Sequence, residues 1–296
     1  MTTLYIVGNG FDLWHGLPTR YCQFNEFAEE TLSEVANFYS VDLANAGPWC
    51  DFENSLGRFN WRAFYNAHNY IDVEAESFRC SSVYSLEDDL VEQADQHVSE
   101  IRDCFQAWVT EIDISMVERK LVLVENAKFL TFNYTSTLES VYGIADEQVL
   151  HIHGKAEAFD ELIFGHGDSM EEEPELDGNG DSNRTIFSDA EGSAKYPFYA
   201  LQKPVEKVLK THTSFFDSLG DTSEIVVVGH SLNKIDLPYF KKVVQRAPAA
   251  QWKVCCFTEK EKSHYVQTLV ECGVPQRQIH VCGYSDLESV LHQGLT

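Results

Sequence analysis

Basic residues are scarce in this chain: 22 lysines and arginines face 47 aspartates and glutamates, for a formal charge of −25. That imbalance repels polyphosphate backbones at long range and opposes electrostatic binding to DNA, RNA or anionic membrane. No nucleic-acid or membrane partner is expected. Long apolar runs are missing too, and none approaches the length needed to span a bilayer. Met1-Thr2-Thr3 leads into a strand-like run without a basic-then-apolar signal, so the cytoplasm is the expected location. The eight cysteines are dispersed and form no C-x-x-C pair. Several, among them Cys104, Cys255 and Cys282, sit in apolar stretches, which points to buried free thiols in a reducing compartment rather than a zinc module. Internal repeats and low-complexity linkers are also absent.

What is present suffices for a large core: 296 residues, 44% hydrophobic and 12% aromatic. Short β-rich runs at Leu4 to Val7, Lys128 to Phe132, Val149 to His153, Glu224 to Val228, Trp252 to Phe257 and Gln278 to Val281 alternate with helical patterns. This predicts an α/β fold with a Rossmann-like, doubly wound, mostly parallel sheet. The reading is one domain over residues 1–296 with a helical insertion at about 25–126 and an acidic loop or lid at about 156–200. Within the insertion, Leu90, Val91, Ala94, Val98, Ile101, Phe105, Trp108 and Ile112 recur at helical spacing, predicting a helix from Leu86 to Ile112 with Ser85 as N-cap. A second helix is expected from Lys203 to Leu219, stopped by Gly220 and carrying His212 at the core or its boundary. The acidic loop holds Glu171-Glu172-Glu173 and an Asp177, Asn179, Asp181 series. That series imitates a calcium loop, but Ser182 and Ser188 replace the glycine and glutamate such a loop requires.

Three segments carry the chemistry: Gly8-Asn9-Gly10-Phe11-Asp12, Thr131-Phe132-Asn133-Tyr134-Thr135 and His151-Ile152-His153-Gly154. Each follows or ends a strand-like run, and in open α/β sheets ligands bind outside the carboxyl ends of the strands. A Gly-x-Gly turn after the first strand lets backbone N–H groups approach a phosphate, although Leu13 stands where the dinucleotide fingerprint has its third glycine. Asn133 either serves a ligand or caps the helix expected over Thr135 to Tyr142. His151 and His153, two apart on a strand, should share a face, and with His166 they form a conceivable metal set. Gly229-His230-Ser231-Leu232-Asn233 approaches the G-x-S-x-G nucleophile elbow, with Asn233 in place of the last glycine.

Together these segments resemble a known group. The run from Gly8 to Tyr21, including Gly16-Leu17-Pro18, is similar to the opening of the AbiH family of bacterial phage abortive-infection proteins. Gly8/Gly10, Gly16-Leu17-Pro18, Asn133-Tyr134-Thr135, His153-Gly154 and Gly229-His230-Ser231-Leu232 follow the order of NAD-pocket motifs in the sirtuin-like superfamily. The resemblance implies an NAD-consuming hydrolase of phage defence. It is not a deacylase, since the four-cysteine zinc module of such enzymes is lacking. NAD is then the substrate, and no metal is expected.

On that reading Asn133 orients the ribose or the attacking water, and His153 is the general base, a role suited to a side chain titrating near neutrality. Gly8, Asn9, Gly10, Phe11 and Asp12 line the cofactor side, with Asp12 either touching a ribose or holding the turn. By the resemblance, Gly229, Ser231 and Asp236 lie toward the adenosine. Control is expected from the helical insertion or, better, from the acidic loop lying across the crevice mouth, relieved by an infection cue; a phage-derived trigger, a neighbouring defence protein and a second copy of the chain are the expected partners. The alternatives are an NAD or ADP-ribose sensor without turnover, a metal-dependent hydrolase or nuclease on His151, His153 and His166, and a serine hydrolase on Ser231.

Overall fold

Apolar runs with no polar face must be buried on both sides, the condition met in a parallel sheet covered by helices. The computed structural model describes residues 2–40, 49–158, 160–172 and 174–287. Strands β1 Thr2–Val7, β2 Lys128–Thr131, β3 Val149–His151, β4 Thr222–Val228, β5 Gln251–Cys256 and β6 Ile279–Gly283 form the sheet. It is six-stranded and all-parallel, in the order β3-β2-β1-β4-β5-β6. This is the Rossmann-like order, whose direction of winding reverses between β1 and β4.

The helices are α1 Asn9–Trp14, α2 Tyr21–Phe27, α3 Glu29–Val35, α4 Phe52–Leu56, α5 Trp61–His68, α6 Ser81–Thr110 and α7 Thr137–Tyr142. They continue with α8 Ser188–Ala194, α9 Tyr196–Ala200, α10 Val205–Thr211, α11 Thr213–Asp217, α12 Leu237–Arg246 and α13 Glu259–Glu271. None among the described residues is long and apolar enough to cross a membrane.

Two units divide the chain. The first gathers Met1–Arg20, Val109–Ile163 and Pro204–Thr296, and so contains the sheet; the second gathers Tyr21–Trp108 and Phe164–Lys203. In the first unit, alternate residues of each strand enter opposite cores. Leu4, Ile6, Leu130, Ile225, Val227 and Trp252 pack with Tyr239, Phe240 and Val243 of α12. Tyr5, Val7, Phe129, Val226 and Val228 pack with Phe11 of α1 and with Leu138 and Tyr142 of α7. The second unit is built on α6, whose Leu86, Leu90, Ala94, Ile101 and Phe105 are fully buried. Phe105 stacks on Phe52 at 5.6 Å and meets Phe164 at 4.4 Å.

Several boundaries differ from the sequence expectation. The long helix begins at Ser81, so Ser85 lies within it rather than capping it, and Val91 on the same helix is exposed. Nothing between Ser81 and Ser85 breaks a helix, and buried Val83 anchors the added turn. The helix expected from Lys203 to Leu219 is two helices, because Pro204 disfavours helical backbone at Lys203 and His212 leaves helical geometry between α10 and α11. The last part of the acidic segment is not loop but α8 and α9. Asp177 there accepts the N–H groups of Asn179 and Asp181 at 2.8 and 2.9 Å, closing the turn on itself. Glu173 of the acidic run lies outside the described residues.

Candidate functional site

All the candidate residues except His166 belong to the sheet unit. At the switch point the turn after β1 meets the loop after β4. A Cβ on Gly8 would lie 2.7 Å from Cα of His230, one on Gly10 would lie 2.8 Å from Cα of Gly229, and one on Gly229 would overlap the backbone of Gly10 and Phe11. The three glycines therefore let two loops touch backbone to backbone. Gly8 N–H donates to Val228 O at 3.0 Å, Gly10 N–H to Gly229 O at 2.7 Å and Phe11 N–H to Gly8 O at 2.8 Å. These amides, expected to cradle a phosphate, are engaged within the protein, which corrects the reason for the Gly-x-Gly spacing. Asn9 is exposed and donates through Nδ2 to Thr19 O at 2.7 Å. Phe11 is a core residue, with its ring 4.4 Å from that of His15 and 5.7 Å from that of Tyr142.

Asp12 holds the next loop. Its carboxylate accepts from the hydroxyls of Thr135 at 2.6 Å and Thr137 at 2.9 Å. Burial pushes its carboxyl up to about 6; hydrogen bonds from Thr135, Thr137 and Asn133 and the nearby charge of His151 pull the other way. These bonds tie Asp12 to the β2–α7 connection, a contact that neither of the two expected roles included. His15 is likewise a packing residue. Its Nδ1 donates to Phe11 O at 2.7 Å, its Nε2 accepts from Tyr142 O–H at 2.6 Å, and burial lowers its pKa.

Asn133 sits just past β2. It does not cap α7, whose N-cap is Ser136. Its N–H donates to Thr131 Oγ1 at 3.1 Å and its carbonyl accepts from His151 Nδ1 at 3.0 Å. The side-chain amide bonds Asp12, while Oδ1 is buried with no hydrogen-bond partner. An orphaned buried acceptor costs about 1–3 kcal/mol, a cost that a donor on a bound ligand removes.

His153 follows β3, which ends at His151 because residues 152 and 153 turn. Gly154 has φ +87° and its N–H returns to His151 O at 3.2 Å. The turn breaks the alternation that would have put both histidines on one face. His151 reaches Glu139 of α7, Nε2 to Oε1, at 2.8 Å. Its bond and charge, with those of Lys155, hold the Glu139 carboxyl below its ordinary range although burial opposes them. The His153 ring instead packs edge-on against Phe132 at 5.2 Å and Tyr239 of α12 at 5.6 Å, on the other side of the sheet. His166, in the second unit, uses Nε2 to donate to Phe198 O at 2.8 Å and Nδ1 to accept from Asp168 N–H at 3.2 Å. The three histidines do not form a metal set, and no three or more His, Cys, Asp or Glu side chains are placed so that they could hold a metal ion among the described residues.

The loop after β4 adds two groups. Ser231 is exposed and His230 buried. His230 directs Nδ1 to the N–H of Leu232 at 2.9 Å and Nε2 toward Asp236 Oδ2 at 3.6 Å, so neither nitrogen serves Ser231 as a base. Asp236, placed toward the adenosine by resemblance, presents its other oxygen to His153 Nε2 at 3.8 Å. The structure thus brings His153, Asp236 and His230 together. His230 was missed because Gly229-His230-Ser231 draws attention to the serine. The available signal was a histidine beside a strand-end glycine with an aspartate six residues on.

The profile of the family described as bacteriophage abortive infection AbiH matches residues 4–257, a span that covers the whole of this constellation. No curated protein matches the chain.

Proposed function

The chain belongs to the bacteriophage abortive infection AbiH family, which implies a role in phage defence, and we propose that it fills that role by hydrolysing NAD at the nicotinamide–ribose bond. The observation that carries this reading is the buried, unpartnered Oδ1 of Asn133 at the carboxyl end of β2. It is an acceptor that awaits a donor, and a ribose hydroxyl or a water directed at the ribose supplies one.

The chemistry asks little more of the protein. Nicotinamide leaves as a neutral base when the bond from its nitrogen to the ribose C1′ breaks and the electron pair returns to the ring. Water then bonds to C1′ and gives up a proton. Asn133 holds the ribose or the water in line, and His153 takes the proton; positioning and acid–base help of this kind lower such barriers. The anion-holding part of the site is not the N–H groups of Gly8 and Gly10, which are engaged elsewhere.

The test is nicotinamide release from NAD by the purified chain, alone and after exposure to infected-cell lysate. Asn133→Ala and His153→Ala are each expected to lower turnover about 100-fold or more; both side chains are buried and engaged by neighbours, so melting temperature falls as well, and turnover is compared at a temperature where both variants are folded. Full turnover in both variants overturns the site. Tight NAD binding without release, in either condition, replaces hydrolysis by a sensor.

A further inference from the structure

Two buried imidazoles share one buried carboxylate. His153, Asp236 and His230 are 2%, 6% and 5% exposed, and the two Asp236 oxygens lie 3.8 Å from His153 Nε2 and 3.6 Å from His230 Nε2. These separations exceed a hydrogen bond but fall within the range where opposite charges couple strongly at buried sites, and such contacts tighten when a substrate fills a site.

The histidines are not equivalent. His230 Nδ1 accepts the Leu232 N–H at 2.9 Å, so the neutral ring carries its proton on Nε2, facing Asp236. A second proton would have to go on Nδ1, where it would oppose the Leu232 N–H and destroy that bond. Leu232 cannot relax easily, because its side chain is packed into the core at 2% exposure. Of the two imidazoles, His230 is therefore the one kept from becoming a cation. The groups facing the His153 ring include Asp236 from the turn before α12, Tyr239 from α12 at 5.6 Å, Tyr134 from the segment after β2 at 6.4 Å, and the Phe132 edge. The Phe132 ring also meets His230 at 4.3 Å, which fixes both imidazoles against a common wall.

We infer that Asp236 is the positioning residue of the site, steering the reaction proton to His153 while His230, locked neutral by the Leu232 N–H, holds the carboxylate in place. The catalytic use of that proton rests on the NAD-hydrolase reading; the protonation pattern itself does not.

Histidine side-chain NMR titration on the intact chain separates the two. In the wild type, His230 should remain the neutral Nε2–H form across about pH 5–8, and His153 should take up a proton within the ordinary histidine range or above it. In Asp236→Asn the His153 midpoint should fall by about 1–3 pH units, the effect of removing one opposite charge at this range. Turnover should drop about tenfold with KM little changed, and Asp236→Glu should restore part of it. An unchanged His153 midpoint in folded Asp236→Asn, or a wild-type His230 that takes up a second proton or carries its proton on Nδ1, overturns the inference. Should Asp236→Asn fail to fold, the wild-type spectra alone decide, and a His153 midpoint below about 5 rejects the role of Asp236. The expected spectra without nicotinamide release would discard the NAD reading and leave Asp236 as the partner of both histidines.

Discussion

At Asp12 burial and hydrogen bonding oppose each other, and burial prevails. The folded carboxyl titrates at about 6 against 3.8 for the ordinary group, so the folded state binds the proton more tightly than the unfolded chain. The stability this gives is complete below about pH 4 and is lost as pH rises through about 6, a difference of roughly 3 kcal/mol. Asp12→Asn removes the titration. Melting temperatures should therefore depend less on pH in the variant than in the wild type between about pH 4 and 7, with any wild-type advantage largest at the acid end. A difference between the two that stays constant across that interval would show that Asp12 is not the perturbed group. Glu139 has the opposite sign. Its lowered carboxyl contributes stability that is lost as pH falls, so the two acids must be separated by variant rather than by inspecting one melting curve.

Among the loops at the strand ends, the meeting of the β1 and β4 turns is the most constrained, since no side chain fits between them. Gly229→Ala would place a methyl into the Gly10–Phe11 backbone at a φ of +72° and is expected to destabilise the fold by roughly 3 kcal/mol, lowering the melting temperature by about 6–12 °C. Gly220→Ala, where a Cβ meets nothing within 4 Å, should stay within about 0.5 kcal/mol of wild type. Equal melting temperatures for the two would mean that the loops are not in contact. The strands were legible because burial on both faces writes an unbroken apolar run, as in Ile225 to Val228. Helix limits were less so: Ser85 looks like a cap only until Val83 is seen to be buried. That Asn133 and His153 lie just past strand ends was legible too. The partnership of His153 with Asp236 was not, since it is made by the short helical turn Lys234–Asp236, which returns Asp236 toward a histidine far away in the sequence. The His151 and His153 pairing misled for a related reason. Period-two logic holds only while the strand lasts, and β3 stops at His151.

Taken as one charged body, the protein carries −25 and presents an anionic dinucleotide with a repulsive field. Of the cations near the site, Lys155 is engaged by Glu139 at 3.2 Å and Asp146 at 2.9 Å. Raising ionic strength from about 10 mM to about 150 mM shortens the screening length from about 30 Å to about 8 Å. On the NAD-hydrolase reading, kcat/KM for NAD should therefore rise with salt over that range, the reverse of what a basic nucleotide groove produces. The effect should appear in KM, since screening acts on approach and binding rather than on the proton transfer to His153. An uncharged osmolyte at matched osmolarity should leave KM unchanged. A fall in kcat/KM with added salt would reveal positive charge at the mouth of the site strong enough to outweigh the whole surface, and would reopen the search for the residues that hold the diphosphate.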